Sequence, residues 1–95
     1  MTRKVLLDPV HAAPVLRTMP PLTKRKVKAA LRLLAEDPGG TASRLDVKRL
    51  DTEPGQPMYR LRVGDWRIAF TLDKDILVLR IFHRRDGYGW LADME

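Results

Sequence analysis

Apolar positions in this chain follow two different periods. Between Pro21 and Glu36, Val27, Ala30, Leu31 and Leu34 recur at helical spacing behind a proline suited to a first helical position, and Asp37, Pro38, Gly39 and Gly40 follow as terminators. From Asp46 onward the period shortens to two. DVKRL is a short strand candidate, and MYRLRV, WRIAFTL and ILVLRIFHR are three β runs separated by tight turns. Ahead of the helix, TRKVLLD reads as a short strand bounded by Asp8 and Pro9, and a short helix is expected within 9–19. Pro14 must either kink that helix or start it, because a proline beyond the first turn costs about 3 kcal/mol. The stretch DTEPGQP at 51–57 reads as a loop between strands. The order is β, α, α and then a β-meander whose three long runs give β-α-α-β-β-β, with DVKRL a short strand candidate ahead of them. The fold class is α+β: a two-layer sandwich of an antiparallel sheet with two N-terminal helices packed on one face.

Turn chemistry and alternation are enough to put the hairpins in register. Val63 and Trp66 bracket Gly64 and Asp65, and glycine at the first central position is what a two-residue type II′ turn requires. Residues whose numbers sum to 129 then sit opposite each other, so Arg62 faces Arg67 and Arg60 faces Ala69. Tyr59, Leu61, Val63, Trp66, Ile68, Phe70 and Leu72 share the core face, and Arg60, Arg62 and Arg67 point the other way. Burial logic sets the next connection so that numbers sum to 149, pairing Phe70 with Leu79, Ile68 with Ile81 and Leu72 with Leu77. A slip of one residue would invert every side chain. This register sends Arg80 and Arg84 to the arginine side, beside Phe82.

Like charges directly opposite on a sheet are unfavourable by a few tenths of a kcal/mol up to about 1 kcal/mol. No acidic residue is expected in the central part of this face. Five arginines there are either the solvated side of an antiparallel sheet or a surface that an anion completes. The second reading is preferred, with Phe82 available for base stacking.

Composition supports it. Among 95 residues, 18 Lys and Arg oppose 12 Asp and Glu, for a net charge of +6, and twelve of the cations are arginine, whose planar fork of donors suits phosphate. The α-helix at 21–36 adds Lys24, Arg25, Lys28 and Arg32; this stripe is either the polar side of an amphipathic helix or a nucleic-acid contact, the former being the simpler. With no cysteine and only His11 and His83, thiol chemistry and cysteine-ligated zinc are excluded, and neither a metal site nor a cofactor is expected. No signal peptide or membrane span is expected, and the length fits one domain over 1–95 in a reducing cytoplasm.

The strings YRLRVGDWRIAF and ILVLRIFHRRDGY, preceded by a helix ending in LLAEDP, resemble the RelE/ParE toxin superfamily of toxin-antitoxin modules. The likeness runs from about residue 20 to the end. It implies a small basic toxin masked by a cognate antitoxin protein. In the RelE branch it implies a metal-independent endoribonuclease that cleaves mRNA on the ribosome and inhibits translation; in the ParE branch, inhibition of DNA gyrase without nuclease activity. A noncatalytic RNA-binding relative is a third reading. Carried over by motif, Arg67, Arg84 and Tyr88 are the catalytic candidates, and Arg60 and Arg62 fall on the family's basic strand positions. With Arg80 and Phe82 from the face, these form the RNA-binding set.

Arginine is a poor proton acceptor, because a guanidinium holds its proton tightly, so the general base is not apparent. His83 and Asp86 adjoin the motif, but His83 is expected to point toward the helices as a hydrogen-bonded structural residue. Tyr88 is either a nucleotide-orienting residue or an anchor for a C-terminal turn with Trp90 and Leu91. Glu53, in the loop, is given no role.

Overall fold

Asp8 makes the first change of direction. After strand β1 (Val5–Leu7) its carboxylate accepts hydrogen bonds from the backbone N–H groups of Val10 and His11, both 2.8 Å, and its carbonyl accepts from Ala12 and Ala13. These donors hold the Asp8 carboxyl below the usual carboxylate range. The strand thereby turns straight into helix α1 (Ala13–Thr18), with Pro14 in the first turn, where a missing N–H leaves no bond unmade. Of the two expected outcomes, a kink or a late start, the chain takes the late start. The computed structural model describes residues 2–38, 44–50 and 57–90.

Helix α2 spans Pro21–Glu36, as its pattern predicts, and buries Val27, Ala30, Leu31, Leu34 and Ala35. The Asp37 N–H bonds back to the Leu33 carbonyl and closes it; Gly39 and Gly40, expected to take part, lie outside the described residues. Strands β2 (Asp46–Leu50), β3 (Met58–Val63), β4 (Trp66–Leu72) and β5 (Ile76–His83) form the meander, followed by a 3-10 turn over Arg84–Asp86. The loop expected at 51–57 falls almost wholly outside the described residues.

The sheet order is β1-β5-β4-β3-β2, and both helices lie on one face. The sheet is not wholly antiparallel as expected. Strand β1 joins the far edge parallel to β5, with Val5 opposite Ile76 and Leu7 opposite Val78. That placement turns Val5 and Leu7 toward the helix-side core and leaves Leu6 48% exposed. Phe70, Leu34, Leu61, Ile68, Ile76, Val27 and Val78 are the largest fully buried side chains. Each contributes about 1.5–3 kcal/mol by leaving water.

The β3–β4 register is the expected one throughout. The β4–β5 register holds from Trp66–His83 to Ala69–Arg80 and then shifts at a β-bulge. Phe70 pairs with Val78 rather than Leu79, and Leu72 with Ile76 rather than Leu77. The extra residue reconciles two demands. Ile76, Val78 and Ile81 all enter the helix-side core although their parity differs, while Leu79 and Phe82 pack on the opposite side. Without the bulge the apolar residues of β5 could not serve both faces.

Candidate functional site

Alternation along the central strands places Arg60 and Arg62 of β3, Arg67 of β4 and Arg80 of β5 on the side away from the helices. Arg62 lies directly opposite Arg67. The turn between them has Gly64 at φ 58°, while Asp65 is outside the left-handed region, the combination a type II′ turn needs.

Two carboxylates, Asp46 on the edge strand β2 and Asp65 in the turn, temper the arginines from the margin, while the central strands β3, β4 and β5 carry no acidic residue, as expected. Strand β2 pairs Asp46 with Arg62, and the Asp46 carboxylate lies 3.5 Å from the Arg60 guanidinium and 4.0 Å from that of Arg62. Arg84, expected to project from this face as part of the strand, does not continue it. Strand β5 stops at His83, whose Nδ1 accepts the Arg85 N–H at 3.3 Å and so caps the 3-10 turn that Arg84 opens. The Arg84 N–H then donates to the Asp65 carbonyl at 2.8 Å, and its Nε lies 3.5 Å from the Asp65 carboxylate. Arg67 donates to the Gly64 carbonyl at 2.8 Å and the Trp66 carbonyl at 3.1 Å. Arg67 and Arg84 are therefore fastened to the same two-residue turn.

The ion pairs position these arginines without using them up. Asp46 and Asp65 are more than half exposed, as are Arg62 and Arg84, and solvent-exposed pairs at such distances are worth only about 0–1 kcal/mol, so a phosphate can displace either carboxylate. Arg60 differs. Its side chain is 12% exposed and so is held where it stands.

Beside Arg67, Phe82 of β5 sits directly across the ladder and is covered by the chain's own aromatic residues. Met58, Ala69 and Phe82 form a second buried cluster, with Leu50, Leu79 and Trp90 packed against it. Phe82 is 8% exposed; the Tyr88 ring meets it edge-on at 5.1 Å and Trp90 at 5.4 Å. Phe82 thus has no open ring face, and Tyr88, 38% exposed, is the aromatic presented to solvent. Arg80 donates to the Leu79 carbonyl at 3.0 Å and lies 5.5 Å from the centre of the Trp90 ring, a cation–π contact. The turn expected with Tyr88, Trp90 and Leu91 is described as far as Trp90.

His83 lies on the helix side, opposite Trp66 and edge-on to its ring at 5.4 Å, in keeping with a structural role, and Asp86 is exposed in the 3-10 turn. Sequence reasoning missed Asp46 as the partner of two arginines and Trp90 as the cover of Arg80. The signal for Asp46 was the parity of DVKRL, which becomes useful only once the β2–β3 register is known.

The family model described as the ParE toxin of the type II toxin-antitoxin system, parDE, matches residues 19–88, most of the chain and all of the arginine face. No curated protein matches the sequence. Among solved structures, a chain of the archaeal RelE-RelB complex from Pyrococcus horikoshii OT3 is 25% identical, with a TM-score of 0.72 over 88% of this chain and 97% of that one. A chain of the RelB-RelE antitoxin-toxin complex from Methanococcus jannaschii is 21% identical and shares the fold, with a TM-score of 0.67 over 90% of this chain and 96% of that one. With a β-meander carrying arginines on one side and two helices on the other, the chain belongs to the ParE toxin family, within the RelE/ParE superfamily of type II toxin-antitoxin toxins.

Proposed function

We propose that this toxin inhibits translation in the cytoplasm by cleaving ribosome-bound mRNA through the arginine face, and that a cognate antitoxin silences it by covering that face. The observation that carries the reading is the attachment of Arg67 and Arg84 to one turn, with Arg62 across the ladder from Arg67. The likeness to a chain of an archaeal RelE-RelB complex supports both the RelE-type target and the antitoxin.

In such a cleavage the 2′-hydroxyl loses its proton and its oxygen bonds to the adjacent phosphorus. The bond to the 5′ oxygen breaks, and that oxygen takes up a proton. Arg67 and Arg84 oppose the charge that develops on the phosphate. Arg60, Arg62 and Arg80 hold neighbouring phosphates, and Tyr88 orients or stacks on the nucleotide with the Phe82 ring behind it. Arginine stays protonated throughout, so these side chains work by charge and position, with the ribosome contributing orientation. No metal or cofactor enters the scheme.

The ParE family match favours a second reading, inhibition of DNA gyrase without nuclease chemistry. Inducing the protein in a sensitive host, mapping mRNA 5′ ends and assaying gyrase supercoiling in extract separates the two. New ends within codons support the nuclease; lost supercoiling with intact messages replaces it with the gyrase poison. Arg67→Ala and Arg84→Ala should each lower cleavage about 100- to 1,000-fold, as loss of one charge-stabilising donor does, while stability changes by less than about 1 kcal/mol.

A further inference from the structure

On the helix side, Arg17 in the last turn of α1 and Lys24, Arg25, Lys28 and Arg32 of α2 line an open depression of about 570 Å³, floored in part by Met19. Among the described residues, no carboxylate lines it. Folding does not call for this arrangement. Lys24, Lys28 and Arg32 follow one another at i, i+4, so the like charges repel, and Lys24 and Arg25 lie near the helix N-terminus, where the backbone dipole is already positive. A solvated helix of ordinary design alternates charge sign along its exposed side. Within α2, five cations are set against Glu36 alone.

We propose that this depression is a second RNA-binding surface, one that grips the phosphate backbone of a folded, double-helical RNA. The inference rests on the RNA target proposed above and extends it, because the helix cations and the sheet arginines lie on opposite sides of the molecule. The sheet face would hold the message while the helix face docks on structured RNA around it. Lys24 to Arg32 covers about 12 Å of helix axis, over which one strand of a duplex places three or four phosphates at about 3.4 Å each. An acidic protein would be anchored by aromatic or large apolar residues, and the uncharged lining is small: Met19 is only 7% exposed, and Pro21 and Ala29 complete it without an aromatic ring. What the depression offers a ligand is a row of evenly spaced cations, which reads backbone shape rather than sequence.

The test titrates the full-length protein with a short blunt-ended RNA duplex across a salt series. The Arg25→Gln, Lys28→Gln, Arg32→Gln triple variant should bind more weakly, and its plot of log affinity against log salt should be shallower by about 2 to 3. Lys4→Gln with Lys74→Gln, cations outside both faces, should change the slope by less than about 1. Circular dichroism melting checks that the variants fold. An unchanged slope in the triple variant overturns the inference, as does an equal loss in the control pair. If polyglutamate binds the wild type as tightly as the duplex does and loses as much in the triple variant, the surface is a protein dock and the inference also fails. A wild type that makes no new message ends, yet needs the helix cations for duplex binding, argues against the nuclease alone and supports the helix-side RNA surface.

Discussion

The two faces of one sheet solve different problems with the same backbone. Beneath the helices, Leu61, Ile68, Phe70, Ile76 and Val78 are fully buried, and their role ends with packing. On the other face, Arg62 and Arg67 stand opposite each other near the Gly64–Asp65 turn, to which Arg84 is also tied, while Phe82, across the ladder from Arg67, joins Met58 and Ala69 under the returning Trp90. The outer face is thus neither a plain solvated surface nor a second core. Its apolar residues anchor the segment that presents Tyr88, and the arginines interleaved with them tolerate like-charge contacts because Asp46 and Asp65 steady them. Stability is concentrated under the helices, and the outer face gives up some of it for a surface that a polyanion can complete.

Three substitutions sharpen or break this contrast. Phe70→Ala opens a cavity in the helix-side core and should cost about 3–5 kcal/mol, measured by urea unfolding. That is a large share of the stability of so small a domain. A cost below about 1 kcal/mol would mean the inner face is not the main core. Phe82→Ala removes the ring beneath Tyr88 and Trp90 and should cost less, about 2–4 kcal/mol, because the chain end can settle into the space. Trp90 fluorescence should shift toward the red as its cover loosens, and an unmoved spectrum would show that the outer cluster does not hold the chain end. Asp46→Ala should change stability by only about 0.2–1 kcal/mol. By freeing Arg62 and removing a negative charge beside Arg60 it should tighten binding to a single-stranded RNA oligonucleotide by up to about fivefold. Weaker binding would show that Asp46 positions the arginines more than it competes for them.

Helix α2, the Gly64–Asp65 hairpin and the common side of Arg60, Arg62 and Arg67 were determined by the sequence itself. Each rests on a local rule: apolar spacing over a few turns, one glycine able to take positive φ, and alternation along two adjacent strands. The resemblance carried by YRLRVGDWRIAF and ILVLRIFHRRDGY lies in these same segments. The parallel docking of β1 beside β5, the bulge that shifts Phe70 to Val78, the Asp46 pairs and the folding of Trp90 over Arg80 were decided only by the tertiary structure. All four join residues far apart in the chain or weigh one face against the other. Nothing in TRKVLLD states which sheet edge stands open, and nothing in ILVLRIFH states that its leucines and isoleucines must be shared between two cores. Those choices follow from which arrangement buries the most apolar surface at once, a property of the assembled layers rather than of any single segment.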